Sequence, residues 1–341
     1  MHTHRRRLIV WNFGWGRVGF AAILLFLASS VPRPALGQYV MIDDEPPRFE
    51  WRGRVESDFR SDFETDTDGG DEFESWQLGL VGDFGGPINE SILVGLRTGY
   101  RYADYDFRLD NGPGRPSTYG TSELPRDPWG SVNTFDFTPS TTVLVGSRFS
   151  VIGAVPIRWA GESGARRNGF AAGISGLVRW QVTDSFRIGA GIGLTSQLED
   201  GAETFPIVSL DWRISETLSL RTEGSWVQGG NAVLLFGASK HVRLTASVGY
   251  ERTRFRLDDN GFEADRDGIG EITAVPIEVG VRFRLFAHAI LDFRAGLGVA
   301  GRFRVESDDG DKLYDEDYDP SPRIGLGLTI PFGLPGAGSG S

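Results

Sequence analysis

Long runs of alternating apolar and polar side chains constrain this chain more than any other feature of its sequence. In the segment from Ile272 to Leu285, one face collects Val275, Ile277, Val279, Val281, Phe283 and Leu285. The other face collects Pro276, Glu278, Gly280, Arg282 and Arg284. Because successive side chains of a strand point to opposite faces, this pattern predicts a strand with one apolar and one polar or small face.

The length of the alternating runs favours a membrane barrel over a soluble sheet. Several runs exceed ten residues, whereas soluble strands usually have about 5–6 and a tilted membrane strand needs about 9–11. Aromatic residues lie near strand ends, where interfacial girdles form. They are Trp76, Tyr100, Tyr102, Trp159, Trp180, Trp212, Trp226 and Tyr250.

We therefore predict an all-β, antiparallel up-and-down transmembrane β-barrel of about fourteen strands, with twelve or sixteen as alternatives. Pro139 is expected to interrupt a strand, which makes the count least secure between residues 132 and 160. The strands are predicted at 48–58, 73–84, 91–107, 132–145, 148–160, 168–182, 186–199, 203–213, 217–228, 231–239, 242–257, 272–285, 289–305 and 322–332.

Short and long connections alternate along the chain, as they do in outer-membrane barrels. If the N-terminus is periplasmic, the short turns are periplasmic too and the long connections are extracellular. The longer connections are predicted at 59–72, 108–131, 161–167, 258–271 and 306–321.

The N-terminal residues predict export. A basic region at Arg5–Arg7 and Arg17 precedes the apolar run Val18–Ser30, which is too short to span a bilayer as a helix. Small residues at Ala35 and Gly37 suit a signal peptidase, so residues 1–37 are predicted to be a cleaved signal peptide. A short periplasmic segment at 38–47, the barrel at 48–332 and a flexible Gly/Ser-rich tail at 333–341 follow.

The last predicted strand, Arg323–Phe332, has the alternation that outer-membrane barrels present to the barrel-insertion machinery. Such strands usually end the chain on an aromatic residue, and here a Gly/Ser-rich tail follows. We expect the insertion machinery and outer-membrane lipid to be partners of this chain.

A family resemblance rests on about thirty residues in the middle of the chain. They are Gly189–Leu194, Gln197–Asp200, Phe205–Val208, Asp211–Ile214 and Leu218–Thr222. These residues resemble the predicted bacterial outer-membrane barrels grouped as domain of unknown function 6268. The resemblance implies a barrel and supplies neither an activity nor site residues.

Composition argues against several kinds of chemistry. The chain has no Cys and a net charge of −11, which disfavours thiolate sites and nucleic-acid binding. The mature chain holds two His, His241 and His288, both in predicted short turns. We expect no enzymatic activity and no cofactor. Gly296–Gly301 matches G-x-G-x-x-G, but it lies inside a predicted strand and is interpreted as small residues facing a crowded lumen.

Two acidic loops share a D-x-D-G core that can bind Ca²⁺ loosely. The candidate ligands are Asp66, Asp68, Asp265 and Asp267. Ser75 and Ala274 stand where a full Ca²⁺ loop places its bidentate Glu, so the motif is incomplete. The alternative interpretation is a pair of solvated, like-charged loops.

The polar face of the predicted strands carries many charges, with Arg in excess. The predicted lumen-facing charges are Arg97, Arg101, Asp211, Arg213, Arg221, Glu223, Arg243, Glu251, Glu278, Arg282, Arg284, Asp292, Arg294, Arg302 and Arg304. In an open pore they favour anions. They can equally form ion pairs between neighbouring strands that brace the wall.

Three functions remain open at this level. The first is a passive channel or transporter for small polar or anionic solutes, since fourteen strands enclose more space than eight. The second is a non-conducting structural or adhesion barrel acting through its acidic extracellular loops. The third is a soluble periplasmic β-sandwich.

Overall fold

The computed structural model of the chain describes residues 51–68, 71–108, 128–165, 169–198, 201–225, 229–259, 266–285 and 289–333. The predicted signal peptide, the segment 38–47 and nearly all of the C-terminal tail lie outside these residues. No helix in the described part is long and apolar enough to cross a membrane.

Sixteen strands form a single sheet among the described residues. Their bounds are β1 Arg52–Asp66, β2 Glu72–Pro87, β3 Ile92–Arg108, β4 Ser131–Val145, β5 Phe149–Ala154, β6 Ile157–Glu162, β7 Phe170–Thr183, β8 Phe186–Ser196, β9 Ala202–Arg213, β10 Leu218–Ser225, β11 Gly229–Gly237, β12 Val242–Arg256, β13 Ile269–Arg284, β14 Ile290–Glu306, β15 Lys312–Tyr318 and β16 Ser321–Gly333.

The sixteen strands occupy fourteen positions around a closed barrel, and we call each position a wall. Two of the walls consist of two strands each, because the wall is interrupted once along its length. β5 and β6 both pair with β4 on one side and β7 on the other. β15 and β16 both pair with β14. The first wall closes on the last, with Arg52 opposite Gly333 and Asp62 opposite Arg323 in an antiparallel register. The prediction of a fourteen-stranded antiparallel barrel is confirmed, and a two-sheet sandwich is excluded.

The proline interruption lies one strand away from its predicted place. β4 runs unbroken through Pro139, and the break falls at Val155 and Pro156 in the neighbouring wall. Ser140 pairs with Ala154 and Phe137 with Ile157, so the break lies directly opposite Pro139. The Val155 N–H donates to the Pro139 carbonyl at 3.0 Å. Neither Pro139 nor Pro156 has an N–H to donate. Because the two prolines lie opposite each other, few backbone hydrogen bonds between the strands are lost.

Strands also continue into two segments predicted as loops, 59–72 and 306–321. β1 extends to Asp66 and β2 begins at Glu72, and β15 occupies most of the other segment. The prediction of loops there was wrong because their charged residues were interpreted as solvated connections. Instead they pair across strands, as Arg302 does with Asp315 and Asp317.

The outer face of the barrel is apolar and exposed. Leu80 on β2 is 54% exposed, Ile192 on β8 61% and Val279 on β13 64%. Aromatic residues mark both ends of this surface, with Trp76 against Tyr102 towards the long loops and Phe149 against Trp180 towards the short turns. Such a continuous apolar surface, with every wall paired, is that of a transmembrane barrel.

Candidate functional site: the lumen and its aromatic plug

Four alternating charges meet inside the barrel, and we call Arg60, Asp62, Glu251 and Arg323 the charge quartet. The Arg60 guanidinium contacts Asp62 at 3.1 Å and Glu251 at 2.7 Å. The Arg323 guanidinium contacts the same two carboxylates at 2.8 and 3.3 Å. Glu251 belongs to β12 and the other three to β1 and β16, so the contacts span part of the lumen. The quartet is internally neutral and joins walls that do not pair through their backbones.

Small residues on β14 make room for the groups around the quartet. A Cβ at Gly298 would lie 2.6 Å from a guanidinium nitrogen of Arg323, and one at Gly301 would lie 2.0 Å from the ring of Tyr318. Both glycines belong to the G-x-G-x-x-G match. They lie within strand β14, and the structure places them facing the crowded interior.

Further ion pairs line the half of the lumen near the short turns. Asp83 on β2 receives Arg54 at 2.7 Å and Arg97 at 3.1 Å. Arg282 contacts Asp292 at 2.7 Å across β13 and β14. These contacts are the cross-strand bracing that was one of the two interpretations of the inner charges.

Most of the predicted lumen charges stand on the inner face. Those placed there are Arg97, Arg101, Arg243, Glu251, Glu278, Arg282, Arg284, Asp292 and Arg294, together with Asp211, Arg221 and Glu223. Arg213 is exposed at the end of β9.

The prediction that Arg302 and Arg304 face the lumen was wrong, since both side chains point away from it. The side chain of Arg302 is 46% exposed and contacts Asp315 and Asp317. The alternation of β14 shifts at Ala300, which has a φ of 50°, and the pairing with β13 slips between Thr273 and Val275. A slip of one residue exchanges the two faces of a strand.

The same shift turns Phe303 and Val305 inward, where they join an aromatic plug near the long-loop end. The plug consists of Phe73, Ala103, Tyr105, Phe107, Trp129, Val132, Ala160, Phe255, Leu257, Phe303, Val305 and Tyr318. Its rings come from walls on different sides of the barrel. Tyr105 on β3 lies 6.5 Å from Phe255 on β12, although five walls separate these strands in the shorter direction. The plug therefore crosses the lumen and fills it.

Trp129 occupies the centre of the plug and does not belong to a strand. Four rings meet its indole nearly at right angles, and we call them the socket. Their centroid distances are 6.1 Å for Tyr105, 5.2 Å for Phe107, 5.2 Å for Phe255 and 6.1 Å for Phe303. Edge-to-face pairs of this kind contribute about 0.5–1.5 kcal/mol each beyond their buried area.

The indole nitrogen of Trp129 is an unfavourable feature of this packing. Trp129 is 2% exposed, and no group in the described part of the chain accepts a hydrogen bond from its Nε1. A buried donor without an acceptor costs roughly 1–3 kcal/mol. Trp129 thus fits the socket by shape and only partly by chemistry.

Glu162 fastens the plug from the end of β6, and we call it the latch. One carboxylate oxygen accepts from the Gly130 N–H at 2.8 Å and the other from the Asp258 N–H at 3.0 Å. Arg256, two residues before Asp258, pairs in parallel with Gly161 and donates to the Leu198 carbonyl. The end of β12 therefore bends across the mouth of the barrel and is held on the opposite wall.

A cavity of about 30 Å³ lies between the plug and the quartet. Phe73, Tyr105 and Tyr318 contribute to both the plug and the cavity. The remaining lining is largely polar and includes Ser75 and Gln77. The volume admits one or two water molecules, so the interior passes directly from aromatic to charged.

The predicted Ca²⁺ ligands that the structure describes are not brought together in a metal site. Asp66 ends β1, Asp68 follows it in a turn and Asp267 lies in a turn before β13, while Asp265 falls outside the described residues. Within the described ranges no three His, Asp or Glu side chains are placed to hold a metal ion. His241 is exposed in a turn, and His288 lies outside the described residues.

Alternation could have identified part of what was missed. Arg60 and Asp62 share one parity, but both fell in the segment 59–72, which was predicted as a loop. Trp129 lies within the predicted connection 108–131 and carries no periodic signal. Only the fold shows that Trp129 fills the centre of the plug.

No family model and no curated protein matches the chain, so the resemblance to the domain of unknown function stays a prediction. Among solved structures, an outer-membrane channel from Pseudomonas putida F1 is similar at 10% identity, with 85% of this chain and 100% of that chain covered and a TM-score of 0.44. The P. putida toluene transporter TodX is similar at 10% identity, 90% and 96% coverage and a TM-score of 0.41.

The translocator domain of the autotransporter NalP from Neisseria meningitidis is similar at 9% identity, with 82% of this chain and 88% of that chain covered and a TM-score of 0.34. At these identities and scores the likeness assigns no activity to this chain. Its function is therefore inferred from the geometry of its own lumen.

Proposed function

We propose that this chain is a bacterial outer-membrane channel for small polar or anionic solutes, held closed near its loop end in this structure. One observation carries the proposal: Trp129, which precedes β4 and lies outside the wall strands, occupies the centre of the plug that closes the lumen. Because Trp129 lies outside the strands, its backbone can move without breaking the hydrogen bonds of a wall.

The charged lumen behind the plug supports a polar substrate. Arg54, Arg97 and Arg282 line the turn-side half and are hydrated more readily than an apolar wall. Fourteen strands also enclose more space than the eight whose interior side chains can fill. Export through the cleaved signal peptide and insertion through the last strand belong to the same proposal.

Conductance of the refolded mature chain in planar bilayers tests the proposal. Wild type is expected to show rare openings, and Trp129→Ala is expected to conduct at least about tenfold more often, because a shift of about 1.4 kcal/mol already changes a population tenfold. Trp76→Ala, which removes an exposed ring from the outer face, is the matched control and should behave as wild type.

Reversal potentials in a salt gradient test the anion preference. The open state of Trp129→Ala should favour chloride over potassium, since Arg lines the lumen near the short turns. A cation preference would refute the anionic part of the proposal and leave the channel intact.

A non-conducting barrel is the second candidate, and the pairing of the inner charges favours it. The quartet is neutral, and Arg54 and Arg97 both form ion pairs with Asp83. Bilayers that stay insulated with correctly folded Trp129→Ala would support this candidate. Heat-modifiable migration on a denaturing gel identifies the folded barrel.

A further inference from the structure

We propose that the socket around Trp129 is a binding site for a planar aromatic molecule carrying one polar substituent, which displaces Trp129 on its way into the lumen. This inference deepens the proposed channel function and rests on it for the transport step. The binding step stands on the socket alone.

The four aromatic side chains of the socket determine what kind of ligand ring it accepts. Phe107 and Phe255 approach the Trp129 indole at 5.2 Å with interplanar angles of 86° and 80°. Tyr105 and Phe303 approach at 6.1 Å with angles of 85° and 87°. Four rings nearly perpendicular to one plane leave a flat slot about the size of an indole, which a saturated ring of puckered shape fills poorly.

The present occupant is poorly matched in one respect. The Trp129 Nε1 is buried and finds no acceptor among the described residues. A ring without this donor, or with its polar group directed elsewhere, fills the slot without that penalty. Replacing Trp129 in the socket by such a molecule therefore costs less free energy than removing an ordinary core side chain from its site.

The polar cavity next to the socket defines the substituent. Tyr105 belongs to both the socket and the cavity, so a group carried on the ring can reach Ser75, Gln77 and the charge quartet. A hydroxyl or carboxylate finds donors there. An unsubstituted hydrocarbon leaves the polar cavity unused, so we expect it to bind more weakly.

The approach to the socket is from the loop side. Trp129 lies near the end of the predicted loop 108–131, just before β4, and the backbone beside it is fastened to the wall at Gly130 by the latch. Displacement of the indole thus needs rotation of the Trp129 side chain, while β4 keeps its pairs with β3.

The test compares 2-naphthol with decahydro-2-naphthol, two bicyclic alcohols that differ in aromaticity. Equilibrium dialysis against folded wild type in detergent should show saturable binding of 2-naphthol and at least about tenfold weaker binding of the saturated alcohol, since loss of two aromatic contacts suffices for that factor. Phe255→Leu keeps an apolar side chain, loses the ring and should weaken binding about tenfold. Trp76→Ala should leave binding unchanged.

The same probes in planar bilayers report on the transport step. In Trp129→Ala the empty socket should be blocked by 2-naphthol in a saturable manner and not by decahydro-2-naphthol. Equal binding of the two alcohols, or binding untouched by Phe255→Leu, overturns the inference. An insulated Trp129→Ala barrel that still binds 2-naphthol overturns the channel and keeps the site, so the two failures are distinguishable.

Discussion

Trp76 and Trp129 both lie towards the loop end of the barrel, yet they meet opposite environments. Trp76 is 40% exposed on the outer face, packs against Tyr102 with its ring tilted, and donates its Nε1 hydrogen to Asp104 at 3.2 Å. Trp129 is inside, surrounded by four rings, and its Nε1 has no acceptor among the described residues.

This difference shows how one residue type serves two tasks in a barrel. The outer ring needs a polar neighbour because it marks the border between lipid and water. The inner ring closes a space, and its incomplete hydrogen bonding leaves the closure less stable than its packing suggests. The outer face and the plug can therefore be compared by matched substitutions.

The largest expected effect comes from opening a cavity in the plug. Phe255 is 0% exposed, whereas Phe293 on the outer face is 47% exposed. Phe255→Ala should lower the free energy of unfolding by about 3–5 kcal/mol, because the surrounding rings come from separate walls and cannot collapse into the space. Phe293→Ala should cost clearly less, since lipid tails fill the space it leaves.

Urea unfolding of the refolded barrel in lipid vesicles measures both variants. Equal losses would mean that the rings inside contribute no more than those outside, and the plug would then be a loosely packed region rather than a core.

The next comparison is between an ion-paired Arg in the lumen and an ion-paired Arg at the exposed end of a strand. Arg323 in the quartet is 3% exposed, and Arg108 at the end of β3 is 51% exposed with Glu64, Glu74 and Asp106 around it. Arg323→Met leaves buried Asp62 and partly buried Glu251 with Arg60 as their shared cation and should cost about 3 kcal/mol. Arg108→Met should leave unfolding unchanged, because its partners are solvated.

Raised salt provides a control for this comparison, since it screens exposed pairs more than buried ones. A strong salt dependence of the Arg323→Met effect would indicate that water reaches the quartet freely. The closed lumen would then be contradicted.

Alternation predicted the outer face well because lipid imposes one rule on every wall. The exposed residues of β13, such as Ile277 and Val279, are those of the predicted apolar face. The rule ends where the strands rise beyond the apolar belt. There a shift at Ala300 exchanges the two faces of β14, and sequence alone cannot place such a shift.

The lumen was predictable in kind and not in arrangement. Charged inner residues follow from parity, but the partner of Glu251 is Arg60, on a wall far away in sequence. The position of Trp129 in the lumen could be found only from the fold. Its neighbours come from β3, β12 and β14 and share no sequence pattern with it.

A smaller effect is expected from the latch. Glu162→Ala removes both acceptors that hold Gly130 and Asp258 on the wall, and hydrogen bonds to a charged group contribute roughly 1.5–3 kcal/mol. The plug should then open more often than in wild type and less often than in Trp129→Ala, as measured by open probability in planar bilayers. Glu162→Gln keeps one acceptor and should lie between Glu162→Ala and wild type, and identical behaviour of all three would remove Glu162 from the closure.

The smallest effect concerns Asp315, which faces outward above the apolar belt beside Arg302. Partial burial raises the pKa of this carboxyl, but hydrogen bonds from Arg302 and Lys312 outweigh it, and the pKa lies below its ordinary value of 3.8. Since the folded state holds the proton less tightly than the unfolded state, the stabilisation is complete above that value and is lost as the pH falls through the folded pKa. The free energy of unfolding should therefore fall slightly below about pH 4 in wild type, and this part of the fall should vanish in Asp315→Asn. A fall of equal size in both proteins would assign the acid sensitivity to the carboxylates of the lumen, which would make the inner charges and not the outer ones the pH-sensitive part of the barrel.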